Sequence, residues 1–264
     1  MTDDPMPDIR PDVPHGARIW NYWLGGKDNY AADREIADAV SAEYPQMASY
    51  AVKSRQFLIR AVRYLAGEAG IRQFLDIGTG LPTMQNTHEV AQAVVPDARI
   101  VYVDNDPLVL AHARALLVNT THEGVTKYID ADYRDPDRIA AAAREILDFS
   151  QPIAVMFMGV FGYIEGADDV HAIISRVLEA VPSGSYLALW DATDTSEAIR
   201  RGARAQADLG SPYELRTVEE IRHWFTGLEM VEPGLVSVTQ WRPDDVAVGQ
   251  TEPIDAYGAV ARKP

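Results

Sequence analysis

The chain has 264 residues, with 24 basic against 39 acidic side chains and a formal net charge of −15. Its 47 % hydrophobic and 9 % aromatic content lies in the globular range, and the absence of cysteine excludes a disulfide framework, thiolate metal sites and a cysteine nucleophile. The acidic balance argues against a nucleic-acid backbone as partner, and with neither a leader-like apolar segment nor a membrane-length apolar run the expectation is a cytoplasmic protein.

Residues 1–14 are rich in proline and read as an extended or frayed arm. Residues 15–32 crowd Trp20, Tyr22, Trp23 and Tyr30 around a Gly25-Gly26 break. A short helix is expected over 33–41 and a longer one over 49–66. The longer one sets Ala51, Ser54, Leu58, Ala61 and Leu65 on one face, with Lys53, Arg55, Arg60 and Arg63 read as solvated. Strands then alternate with helices: apolar runs at 73–77, 99–103, 126–130, 153–157 and 186–190 are separated by helical patterns. The first of these helices is expected over 84–95, and the next opens at Asp106-Pro107 with Val109, Ala113, Leu116 and Leu117 on its apolar stripe. Another opens at Asp135-Pro136 with Ile139, Ala142, Ala143, Ile146 and Leu147, and the last spans 170–181. Such alternation predicts an α/β fold, a Rossmann-like, doubly wound, mostly parallel sheet. Beyond Asp191 two helices are expected, over 196–208 and 218–225, the second with a Thr217–Glu220 capping box. Strands at 236–241 and 256–261 should close the chain as an antiparallel hairpin. The division follows: an N-terminal arm with helices over 1–70 as a cap, and a sheet domain over 71–264 with a helical insertion at about 192–226.

Three acidic positions sit where such sheets bind ligands, outside the strands' carboxyl ends. The run Phe74-Leu75-Asp76-Ile77-Gly78-Thr79-Gly80 gives a turn whose glycines let the backbone approach a ligand. A dinucleotide G-x-G-x-x-G would need glycine where Thr83 stands. Asp104 closes the second strand, placed to accept both hydroxyls of a ribose or to end the strand as a cap. Asp132 follows the third strand, suited to an exocyclic amine with Tyr133 beside the ring, or simply a loop acid.

With these residues the chain resembles class I S-adenosylmethionine-dependent methyltransferases. It is more closely similar to the actinobacterial S-adenosyl methyltransferase family, long filed as a domain of unknown function. The resemblance runs through Ala17-Arg18 and the block from Trp20 to Tyr30, Gly80-Leu81-Pro82-Thr83, Asn86-Thr87-His88-Glu89-Val90 and Val103-Asp104-Asn105-Asp106-Pro107. Towards the C-terminus it takes in Gly227-Leu228, Pro233-Gly234-Leu235-Val236 and Trp241-Arg242-Pro243. It implies S-adenosylmethionine as cofactor, with Asp76, Gly78 and Gly80 on its methionine side, Asp104 on the ribose, and Asn105, Asp132 and Tyr133 around the adenine. It implies that Met158 and Gly159, in the run from Phe157 to Tyr163, lie where the acceptor meets the methyl group. That run departs from the Asn-Pro-Pro-Tyr type of many amino-group methylases, which speaks against planar amines.

Methyl transfer needs alignment and exclusion of water, with a general base optional and no metal. His15, Tyr163 and Asp191 are the candidates for such a base; His88, His112, His171 and His223 fall on expected helices and read as surface residues, and His122 as solvated. Trp20, Tyr22, Trp23 and Tyr30 suit either a cofactor cage or an apolar clasp. Lys27 and Asn29 offer donors to a carboxylate, so residues 15–30 are expected to form a lid over the pocket. Arg200, Arg201 and Arg204 read as a solvated face. The expectation is a methyltransferase acting on oxygen or nitrogen of a small molecule, without nucleic-acid or membrane partner. A cofactor-binding sensor or scaffold and a nicotinamide-dependent oxidoreductase are the alternatives.

Overall fold

The computed structural model describes residues 9–82, 85–116, 119–244 and 251–264. Three helices precede the sheet: α1 (Gly16–Trp23), α2 (Ala31–Glu43) and α3 (Met47–Gly67). Five strands follow in the expected places: β1 (Gln73–Ile77), β2 (Arg99–Asp104), β3 (Val125–Asp130), β4 (Ala154–Met158) and β5 (Tyr186–Ala192). Between them run α4 (Thr87–Val94), α5 (Pro107–Leu116), α6 (Pro136–Ala143) and α7 (Ala167–Ala180). Thr83 and the expected helix start at residue 84 lie outside the described residues, as does Leu117. Helix α6 ends at Ala143, so Ile146 and Leu147 of the expected stripe fall in the turn after it, where Arg99 donates to the Ile146 carbonyl (2.8 Å).

Among the described residues eight strands form one sheet, seven of them ordered β3-β2-β1-β4-β5-β8-β6, where β6 is Glu229–Met230 and β8 is Ala256–Arg262, while the eighth, β7 (Val236–Ser237), pairs with β8 off this path. The first five pair in parallel, and β8 runs antiparallel between β5 and β6. The sheet interior is apolar on both sides, as burial on both faces demands. Phe74, Ile100, Tyr102, Met156 and Trp190 pack against α2, α3 and α4. Leu75, Val101, Val155, Phe157 and Leu189 pack against α6 and α7. The hairpin partner is much shorter than expected: β7 is only Val236–Ser237. Arg60 explains this, since its guanidinium takes the Val238 (2.5 Å) and Trp241 (2.9 Å) carbonyls. Arg60 is therefore not the solvated residue its helix position suggested.

The segment before the sheet shares the sheet's core. Ile19, Ile36, Tyr50 and Phe57 belong to the same apolar cluster as Phe74 and Trp190. One carboxylate fastens it: Asp33, fully buried, accepts from the backbone N–H of His15 (2.9 Å) and of Tyr30 (2.8 Å). Arg18, 4 % exposed, lies 3.5 Å from Asp33 and donates to the Arg10 and Val13 carbonyls. The arm is therefore anchored from Arg10 onward rather than frayed. After β5 come α8 (Glu197–Asp208) and α9 (Val218–His223), the latter with the expected Thr217–Glu220 capping box. A Cβ on Gly202 would lie 3.3 Å from Val40, so α8 packs closely along α2.

Candidate active site

The connections leave β1 in one direction to β2 and later return to β4 on its other side, which opens a crevice at the strands' carboxyl ends. A cavity of about 370 Å³ fills this crevice, lined in part by residues of the N-terminal segment between Pro14 and Leu24. Its lining includes His15, Asp76, Gly78, Gly80, Asp104, Asn105, Tyr133, Met158, Gly159 and Tyr163. These come from separate loops, and the sheet brings them together.

The two glycines of the first turn do different work. Both have positive φ, +74° at Gly78 and +65° at Gly80. A Cβ on Gly78 would come within 2.5 Å of Val160, a close packing contact. Among the described residues a Cβ on Gly80 would meet only Ala17, at 3.8 Å, on the cavity side of the turn. Gly80 donates its N–H to Asp104 Oδ2 (2.8 Å), while Asp104 Oδ1 accepts from the N–H groups of Asn105 (2.9 Å) and Asp106 (3.0 Å). This fixes an acceptor-only group at the cavity wall with lone pairs to spare. Burial raises the Asp104 pKa, against the opposing pull of these N–H groups.

Asp76 is 3 % exposed and accepts from Thr87 Oγ1 (2.6 Å). Burial pushes its pKa up to about 6, with the Thr87 bond and the nearby Arg55 charge pulling down. Arg55 lines the cavity and donates to Gln85 O (3.2 Å) and Asn86 Oδ1 (3.1 Å), while its buried Nε has no hydrogen-bond partner. Arg55 is therefore not on the solvated face expected for it. The available signal was its position four residues after buried Ala51, one turn along the same helix side.

The same cavity has a chamber with aromatic and aliphatic walls, among them Trp20, Trp23, Tyr50, Trp190, Tyr213 and Leu215. Trp20 lies 5.8 Å from Trp190 and 6.1 Å from Tyr50, ring to ring. Glycines make room for these rings. A Cβ would come within 2.4 Å of the Trp190 ring at Gly159, 2.1 Å of Tyr213 at Gly162 and 2.6 Å of Tyr163 at Gly16. Trp190, Tyr213 and Gln206 line the cavity too and were not anticipated. Tyr163, in the 3₁₀ turn Phe161–Tyr163, has its pKa pushed up to about 12 by burial.

Other expected contacts lie elsewhere. Tyr22 donates to Asp38 (3.0 Å) at the surface and is not part of the cavity wall. Asn29 is spent inside its own loop, bonded to Asn21, Gly26 and Arg34, and Lys27 is exposed. The aromatic block is thus split, with Trp20 and Trp23 in the wall and Tyr30 capping α2. Asp132 stands behind the lining, accepting from Asn105 Nδ2 (3.1 Å) and the Arg134 backbone (2.8 Å). Asp191 is fully buried beneath the chamber and is not itself a wall residue. His88 is not a surface residue: it is 3 % exposed, with Nδ1 2.9 Å from the Tyr102 hydroxyl. Arg200, Arg201 and Arg204 form exposed ion pairs with Glu197 and Glu43.

His15 Nδ1 sits 2.8 Å from Asp106 Oδ2, with Arg18 and Asp104 close by. Burial opposes the imidazolium, but the Asp106 hydrogen bond and charge outweigh it and raise the His15 pKa from its ordinary 6.5. For Asp106, burial acts upward, yet the His15 hydrogen bond and charge, with the Leu108 N–H and Arg18, hold its pKa below 3.8. The pair's stabilisation is therefore complete above 3.8 and below 6.5, and fades as pH rises through the raised His15 value or falls through the lowered Asp106 value. His15→Gln should melt below wild type at about pH 5.5, and the difference should shrink as pH rises through the raised His15 value. A melting difference that does not change with pH would contradict the ion-pair account.

A family profile described as S-adenosyl methyltransferase matches residues 2–264. The crystal structure of a DUF574 family protein from Streptomyces avermitilis is 47 % identical, covers 97 % of this chain and 100 % of its own, and superposes with a TM-score of 0.91. A crystal structure from Thermobifida fusca is 42 % identical over 95 % of each chain, with a TM-score of 0.84. The complex of human N-acetylserotonin methyltransferase with SAM is 11 % identical, covers 92 % of this chain and 62 % of its own, and has a TM-score of 0.52, a likeness of fold. No curated protein is detectably similar in sequence.

Proposed function

The chain belongs to the S-adenosyl methyltransferase family and is an S-adenosylmethionine-dependent methyltransferase, and from that premise we propose that it methylates a small apolar molecule held in the aromatic chamber. Membership in this family sets aside the nicotinamide-dependent reading. The observation that carries the proposal is the continuity of one cavity from Asp104 and Gly80 to Trp190 and Tyr213.

The residues present fit the cofactor. Gly80 leaves a cradle that a Cβ would fill, and Asp104 presents a fixed acceptor beside it. In this reading Asp104 accepts from the ribose hydroxyls, Asn105 and Tyr133 flank the base, and Asp76 with Arg55 serves the amino-acid end. The bound cofactor supplies a methyl group on a sulfonium. The chain aligns the acceptor and excludes water, with α1 as the covering element. The same reading holds the enzyme to be cytoplasmic and independent of nucleic acid and membrane. The charge of −15 supports it, and among the described residues no helix is long and apolar enough to cross a membrane.

Asp104→Ala tests the site. A hydrogen bond to a charged group contributes about 1.5–3 kcal/mol, so S-adenosylmethionine affinity by calorimetry should fall roughly tenfold or more. A folded variant with wild-type affinity would falsify the ribose assignment.

A further inference from the structure

The proposed small-molecule reading does not say which atom receives the methyl group, and the chamber carries evidence on that point. Tyr213 stands in the chamber wall, its ring edge-on to Tyr163 (centroids 5.2 Å apart) and seated over Gly162. Its hydroxyl donates to Asp191 Oδ1 (3.2 Å). Asp191 is held from behind by backbone N–H groups, Ala192 to Oδ1 (2.7 Å) and Phe161 to Oδ2 (3.1 Å). The carboxylate therefore reaches the chamber through Tyr213.

Resting on the reading above, we propose that Tyr213 and Asp191 form a proton relay and that the acceptor is an aromatic hydroxyl compound bound in the chamber beside Tyr213, against the wall that Trp20 and Trp190 help to form. A neutral arylamine attacks through its lone pair and can lose its proton afterwards. A hydroxyl oxygen becomes a competent nucleophile as its proton leaves, so it needs a base at the moment of transfer. Tyr213 donates to Asp191, which leaves its oxygen lone pairs for a hydroxyl of the acceptor. In the step, the acceptor oxygen forms its bond to the methyl carbon as the carbon–sulfur bond breaks. The acceptor proton passes to Tyr213 Oη, and the original Tyr213 proton passes to Asp191 Oδ1. A positive sulfonium and a buried carboxylate both become neutral, which a low-dielectric chamber favours.

The surroundings suit this use. Burial pushes the Asp191 pKa up to about 6, against Ala192, Phe161, Arg216 and Tyr213, so it is ionised near neutrality yet basic enough to take a proton. Tyr50 from α3 and Tyr133 from the loop after β3 also face it. Burial raises the Tyr213 pKa well above its usual value, which keeps the phenol protonated until the relay operates. Arg216, fully buried, fixes the 3₁₀ turn by donating to the Phe161 and Ile164 carbonyls. Tyr213 is the catalytic residue here, and Asp191 is a positioning residue that acts through it.

The test uses the full chain, 2-naphthol as acceptor probe and 2-naphthylamine as its matched amine. With labelled S-adenosylmethionine, label should enter 2-naphthol in preference to the amine. Tyr213→Phe keeps the ring and should lower kcat for 2-naphthol by roughly a hundredfold, while calorimetric affinity for S-adenosylhomocysteine stays unchanged. In the presence of S-adenosylhomocysteine, the same variant should bind 2-naphthol several-fold more weakly, a readout independent of turnover. Asp191→Asn should abolish the rise of kcat with pH near 6. Preferential labelling of the amine, no labelling of 2-naphthol, or an unchanged kcat in Tyr213→Phe would each overturn the relay. If S-adenosylhomocysteine still binds in those cases, the cofactor site stands and only the acceptor assignment fails. If wild type does not bind it, the broader reading fails first.

Discussion

Gly80→Val should weaken S-adenosylmethionine binding by about a hundredfold or more while leaving the chain folded. The reason is where the new atoms would go. The only described neighbour of a Cβ at Gly80 is Ala17, 3.8 Å away, so a branched side chain enters the cavity beside Asp104 and does not enter the core. Positive φ at a branched residue costs about 1–2 kcal/mol, which a domain with a typical stability of roughly 5–15 kcal/mol tolerates. Calorimetry with S-adenosylhomocysteine and thermal unfolding separate the two effects. Normal binding would mean that this turn does not hold the cofactor. Gly78 offers a contrast, because a Cβ there strikes Val160 at 2.5 Å and the damage would fall on packing.

Asp33→Ala should destabilise the chain by about 3–5 kcal/mol, a drop of roughly 10 °C in Tm. Two backbone N–H groups, of His15 and Tyr30, lose their acceptor together, and buried Arg18 loses the nearer of its two carboxylates. The consequence reaches the site, because Asp33 fixes the start of α1, whose residues line the cavity. Asp33→Asn keeps one oxygen acceptor and should lose less. Equal Tm values for Asp33→Ala and wild type would show that α1 is held by its apolar contacts alone, Ile19 and Trp20 foremost.

Much of the scaffold was legible because its causes are local. The apolar runs at 73–77 and 99–103 are bounded by turn and cap residues within a few positions, and burial on both sheet faces selects such runs. The Thr217–Glu220 box and the Asp135-Pro136 start are likewise short-range signals. Local rules failed where a distant residue competed for the backbone. The expected strand over 236–241 shrank to Val236–Ser237 because Arg60, far back in α3, holds the carbonyls that follow.

For the candidate site, the sequence by itself determined the strand-end positions: Asp76, Gly78, Gly80 and Asp104 follow from strand ends and turn chemistry, and all four line the cavity. Only the tertiary structure decided what stands opposite them. Tyr213 meets Gly162 and Asp191 across a fold, and Trp190 meets Gly159 between neighbouring strands. No hydrophobic period or spacing within either segment marks those contacts. Helix rotation was equally beyond local reading: the same α3 turns Arg55 into the cavity and directs Arg60 to the C-terminal segment. Tyr22 and Asn29 show the reverse case, residues of suitable chemistry that other contacts consume, Tyr22 by Asp38 of α2 and Asn29 within the loop before α2. A side chain's type states what it can bond, whereas the packing of elements far apart in sequence selects its partner, because burial rewards whichever contacts the assembled layers bring within reach.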